Sequence, residues 1–121
     1  MDRIIYQDAS ENDVKTFDWG ELTWYASREK GNQEDMTIGR CVIKPGCSNP
    51  RHSHPNCSEV LVVAQGRISH TAEKGEGQVE MGPGDTISVP PHIGHNATNI
   101  GEEDAVLFIA FSSADREAEG E

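Results

Sequence analysis

Apolar and β-branched residues along this chain come in short runs, punctuated by Gly and Pro at intervals of roughly ten residues, which is the pattern of an all-β sandwich or barrel. Helical periodicity is scarce. The runs predict strands at 21–27, 37–44, 59–64, 67–72, 78–81, 86–89, 95–99 and 105–111. Turns are expected at Gly31-Asn32, Pro45-Gly46, Gly66, 75–77, 82–85 and Gly101, where glycine and proline set the backbone. The segment 71–77 carries three Glu or Lys charges and two glycines, which suits a solvent-facing hairpin tip.

The ends differ from this middle. Residues 1–20 form an acidic N-terminal arm whose last apolar points are Phe17 and Trp19, and a strand at 3–7 is expected there, pairing with a neighbouring subunit. The barrel itself is placed at 21–112. The tail 113–121 is acidic, with no large apolar side chain, and is expected to fray.

At 121 residues the chain closes one core and has no room for a second. Ten Lys and Arg against 21 Asp and Glu give a formal charge of −11, which repels phosphate backbones and anionic bilayers alike. Nucleic acid and membrane surfaces are therefore poor partners, and a small molecule is the expected ligand. No stretch approaches the ~20 apolar residues of a membrane span, so the chain reads as soluble and unexported. Cys41, Cys47 and Cys57 are odd in number and form no C-x-x-C pair, which fits a reducing cytoplasm better than a disulfide framework or a thiolate zinc site. Cys57 packs as a small buried filler on this reading.

Candidate chemistry changes the picture. Gly46, His52, His54, Glu59 and Gly66 follow one another with five, one, four and six residues between; Gly84, Pro90, His95 and Asn99 follow with five, four and three. Alternate residues of an extended strand share a face, so His52 and His54 point into the barrel together while Arg51 and Ser53 point away. Pro50 and Pro55 bracket the pair and lack ladder donors, which suits an irregular segment. Glu59 opens an apolar run and faces inward with Leu61 and Val63. His95 arrives from a distant strand. Three imidazoles and a carboxylate are a ligand set for a divalent transition metal, and buried together without one they would be costly.

These two motifs resemble those of a small single-domain cupin. The first matches at every defining position from Gly46 to Gly66. The second matches at Gly84, Pro90, His95 and Asn99, but His92 stands where a Gly is usual and Gly94 lies two residues later. The resemblance implies a double-stranded β-helix, or jelly-roll, barrel holding iron, manganese, nickel, copper or zinc, commonly as a homodimer.

Four further residues are candidates for binding the substrate: Arg40, His70, His92 and Phe111. Either Arg40 or Cys41 faces inward from its strand, and an inward Arg40 would clamp a carboxylate. His70 lines the cavity in one register and not in the other. His92 sits in a turn beside the barrel mouth, where it could shuttle protons. Inner apolar faces at Leu61, Val63, Ile87, Val89 and Phe108 or Phe111 would dry the cavity.

Three histidines and one carboxylate leave open positions on a six-coordinate ion, which favours a small oxygen-rich chelating molecule. The leading expectation is a mononuclear metal enzyme of the cupin dioxygenase type. A redox-neutral isomerase or lyase acting on a sugar acid or hydroxy-carbonyl compound is the alternative, since the run from Phe108 to Arg116 partly resembles the end of cupins that linearise unsaturated uronates. A binding module without turnover is the third.

Overall fold

The computed structural model describes residues 2–72 and 77–120. Eleven strands form two antiparallel sheets: β1 (Asp13–Phe17), β2 (Gly20–Ala26), β3 (Thr37–Ile43), β4 (His52–Ser53), β5 (Glu59–Gln65), β6 (Ile68–Ala72), β7 (Gln78–Met81), β8 (Thr86–Val89), β9 (His95–Asn99), β10 (Ala105–Phe111) and β11 (Glu119–Gly120). One sheet has the order β1-β2-β3-β10-β5-β8 and the other β11-β4-β9-β6-β7. The expected jelly roll is what these strands build. Of the predicted hairpin tip, residues 73–76 lie outside the described residues.

Alternation fixes the faces. Along β3 Thr37, Gly39, Cys41 and Ile43 are buried while Ile38, Arg40 and Val42 are only partly so; along β10 Ala105, Leu107, Ile109 and Phe111 are buried. These rows meet Leu61, Val63, Ile68, Met81 and Ala97 between the sheets. Burial of such side chains, at about 25 cal/mol per Å² of apolar surface, is the main stabilising term. Phe108 falls on the outer face and stacks on Tyr25 at 6.4 Å, so Phe111 is the aromatic turned inward.

Two glycines and one asparagine shape the barrel. At Gly39 a Cβ would stand 2.6 Å from the Trp24 ring, so only glycine lets that indole lie flat against β3. Gly66 turns β5 into β6 at φ 84°, in the left-handed region that glycine enters without strain. Asn99, 1% exposed, donates to the carbonyls of Ile43 and Glu103 at 2.8 Å each and accepts from Gly101 N–H at 2.8 Å. Its amide thus ties β9 to the end of β3 with every bond made inside the protein.

The structure adds strands at both ends. Within the single chain residues 3–7 pair with no strand, and the strand expected there would need a second copy; β1 pairs with β2 of the same chain, so residues 13–20 join the barrel. Its five residues, Asp13 to Phe17, are all exposed, which is why the sequence lacked an alternating signal there. The tail does not fray at 119–120 but pairs with β4, Glu119 opposite Ser53 and Gly120 opposite His52. Backbone hydrogen bonds hold it, and these need no apolar side chain. Among the described residues no helix is long and apolar enough to cross a membrane.

Candidate metal centre

His52, His54, Glu59 and His95 converge: one ligand atom from each lies within 4.8 Å of all the others. The strands explain the meeting. His52 is directly opposite His95 in the β4–β9 pairing, and His54 lies two residues further on the same side. Glu59 begins β5 in the other sheet, with its side chain in the row of Leu61 and Val63. His54, Glu59 and His95 are 3%, 4% and 2% exposed, while His52 is half-buried at the mouth.

Hydrogen bonds outside the cluster fix the imidazole tautomers. Nδ1 of His52 is 2.8 Å from the Pro50 carbonyl and Nδ1 of His54 is 2.9 Å from the Glu117 carbonyl. A carbonyl oxygen only accepts, so both Nδ1 atoms carry a proton and each ring turns its Nε2 inward. Burial depresses the pKa of His52, which favours the neutral form. Burial raises the Glu59 carboxyl, whereas hydrogen bonds and positive charge from protonated His54 and His95 lower it to about 2 when no ion is bound, so the carboxylate is ionised.

With the rings neutral, as metal binding requires, the inner atoms are acceptors facing one another. Glu59 Oε1 is 3.2 Å from His54 Nε2 and 3.3 Å from His95 Nε2, and all three atoms are buried with no hydrogen-bond partner among the described residues. Each such group costs about 1–3 kcal/mol if left unmatched. A cation removes all three penalties at once, and the nitrogen and oxygen donors suit a divalent transition metal.

Around the cluster lies a cavity of about 300 Å³ whose wall includes Phe17, Trp19, Leu22, Trp24, Leu107, Ile109 and Phe111. The Phe17 and Trp19 rings stack at 4.9 Å, so the arm supplies part of the wall. Phe111 packs edge-on against His54 at 4.8 Å between ring centres. Cys41 also lines the cavity, and burial pushes its thiol up to about 12, leaving it a neutral filler. Cys57 is buried at 3%.

Two of the four substrate-binding candidates reach this cavity and two do not. His70 and Phe111 line it. The β6–β9 register, which sets His70 opposite Ala97, turns the His70 ring inward, where its Nε2 is 3.0 Å from His95 Nδ1. Arg40 is a correction: Cys41 takes the inward direction, and Arg40 lies on the outer face, 3.5 Å from Glu21. His92 is also a correction. It is exposed, outside the cavity, with φ 73°, and its backbone N–H donates to the His54 carbonyl at 2.9 Å. The position that usually holds Gly keeps a glycine-like backbone, which explains the spacing of the second motif without giving the imidazole a role.

The cavity contains one group that the strand pattern did not reveal. Arg116 enters from the tail, its guanidinium carbon 4.4 Å from the Trp24 ring centre and 5.2 Å from that of Phe111. Burial lowers its pKa, opposed by Glu59 and Cys57. Arg51, also on the wall, instead donates to Thr71 Oγ1, Asn96 Oδ1 and the Gly94 carbonyl.

Comparison with known proteins adds family context. The profile of the family described as "Cupin domain" matches residues 39–111. Germin-like protein 3-8 of Oryza sativa subsp. japonica is 35% identical over 85 residues, covering 68% of this chain and 38% of that protein. A glucose-6-phosphate isomerase of Thermococcus kodakarensis is 28% identical over 102 residues, covering 75% of this chain and 53% of that protein. The chain thus spans about half or less of these relatives. Among solved structures, the Lactobacillus farciminis oxalate decarboxylase formate complex superposes with a TM-score of 0.84 over 92% of this chain and 34% of that one, at 19% identity, a likeness of fold.

Proposed function

The chain belongs to the cupin domain family, and on that premise we propose that it is a mononuclear metal enzyme whose cavity receives a small oxygen-rich molecule, in the manner of cupin dioxygenases. His52, His54, Glu59 and His95 would hold one divalent ion of iron, manganese, nickel, copper or zinc. The observation that carries this reading is the meeting of three buried, unpartnered acceptor atoms at Glu59 Oε1, His54 Nε2 and His95 Nε2. The bound ion would supply Lewis acidity toward a chelating substrate and, if redox-active, a place for dioxygen chemistry.

The protein's own residues do the rest. Carbonyls of Pro50 and Glu117 fix two imidazoles in the ligating tautomer, so no reorganisation is needed when the ion enters. The apolar wall of Trp24, Leu107, Ile109 and Phe111 lowers the local polarity, which strengthens electrostatic contacts inside. Elemental analysis of freshly purified protein, with an oxygen electrode, tests the proposal. We expect close to one ion per chain and oxygen uptake with a diketone, flavonol, thiol or catechol-like compound. Failure to consume oxygen with any of these sinks the dioxygenase reading.

A redox-neutral isomerase or lyase is the second reading, favoured by the likeness to a glucose-6-phosphate isomerase over three quarters of the chain. Exchange of a substrate C–H with solvent, without oxygen uptake, would select it. Tight ligand binding with neither product nor exchange would instead make this a binding module. The same proposal places the protein in a reducing cytoplasm, supported by three free thiols, and as a homodimer. Ile4 and Tyr6, 98% and 83% exposed, are the most exposed large apolar side chains among the described residues and would be available to a second copy; light scattering checks this.

A further inference from the structure

Arg116 is a half-buried cation on the wall of the cavity, and among the described residues no carboxylate pairs with it. Among the described residues it makes no hydrogen bond or salt bridge; its contacts are the faces of Trp24 and Phe111. The neighbouring acids are engaged elsewhere: Asp115 binds Arg28 at 2.9 Å, and Glu59 is directed at the histidines. Arg51, the other guanidinium on the wall, has three acceptors of its own. Stacking on two rings leaves the in-plane N–H edge of a guanidinium free to meet a planar anion.

The placement relates this group to the metal cluster. Phe111 contacts both Arg116 and His54, at 5.2 and 4.8 Å between centres, so the guanidinium and a ligand imidazole share one aromatic neighbour. A divalent ion with Glu59 leaves the centre near one positive charge, and Arg116 adds another to the same cavity. A chain of formal charge −11 therefore turns a positive interior toward its ligand.

We infer that Arg116 is the carboxylate-recognition residue of the cavity, and that the ligand is an organic acid with an apolar body. The carboxylate pairs with the guanidinium in the plane of its N–H groups, and the body lies along Trp19, Leu22 and Ile109. Where the ligand also chelates the ion, this rests on the metal reading above; the pairing with Arg116 does not.

Isothermal titration of the full chain, with zinc content measured, tests this with 3-phenylpropionate and its neutral twin 3-phenylpropionamide. The acid should bind at least about tenfold more tightly than the amide, the scale of one charge-assisted hydrogen bond. R116Q should erase that preference with zinc content unchanged, and R116K should restore part of it, which separates lost charge from a misplaced tail. An acid preference equal in wild type and R116Q overturns the inference, as does equal binding, or no binding, of both compounds by wild type. A wild-type chain that neither carries nor takes up zinc or any other divalent transition metal would refute the metal centre alone, since the Arg116-dependent preference can still be measured.

Discussion

His70 Nε2 stands 3.0 Å from His95 Nδ1, a histidine supported by a histidine in the barrel interior. Burial and the neighbouring His95 hold the His70 pKa down at about 4, so the ring is neutral and can accept the His95 Nδ1 proton. That leaves His95 Nε2 with its lone pair toward Glu59. Outer partners of this kind are worth about 10- to 100-fold in metal affinity. His70→Leu should weaken zinc binding by that factor in a chelator competition, while His70→Gln, whose amide oxygen can accept the proton, should recover part of it. Equal affinities in all three proteins would show that the contact does not orient His95.

Removing a ligand should couple metal loss to unfolding. His54→Ala and Glu59→Ala are each expected to lose the bound ion and to melt at a lower temperature than the metal-loaded parent, because binding energy is linked to the folded state. Chelation of the wild-type protein should lower its melting temperature in the same direction. Unchanged metal content in both variants would mean that other residues hold the ion.

The left-handed backbone at His92, φ 73°, makes a contrasting case. A side chain there costs about 1 kcal/mol relative to glycine, partly offset by the greater freedom of glycine in the unfolded chain. His92→Gly should therefore raise the melting temperature by up to a few degrees or leave it level, with metal content and any turnover intact. A large loss of turnover with the fold preserved would restore the proton-shuttle role.

Acid should destabilise the metal-free protein in two overlapping stages. His70 has a folded pKa of about 4 against an ordinary 6.5, so its contribution is complete above about 6.5 and drains away as pH falls toward 4. Glu59, at about 2 against 4.5, contributes above 4.5 and loses that as pH falls toward 2. The His70 stage amounts to no more than about 3 kcal/mol. Urea unfolding at pH 7, 5.5 and 4.5 should reveal the first stage in wild type and a shallower slope in His70→Gln; identical slopes would contradict the assignment.

Much of this site could be read before any coordinates. Glu59 was legible because Leu61 and Val63 share its face in one strand, and a period of two carries direction along a strand with no outside information. His52 and His54 followed from the same rule. His70 and Arg40 did not, because their direction depends on which strand lies opposite and in what register. Cys41 took the inward place, and the sheet partner of His70 set its ring against His95. Strand periodicity marks neither Arg116, which only the partial likeness of 108–116 to uronate-linearising cupins singles out, nor the Glu117 carbonyl. The tail is held by main-chain bonds from Glu119 and Gly120, which leave no mark in side-chain periodicity.

The bond from His54 Nδ1 to the Glu117 carbonyl ties one ligand to a strip of main chain 63 positions away. Peeling that strip from β4 would free the imidazole to spin between tautomers, so a change confined to 117–120 would loosen the grip on an ion without altering any ligand.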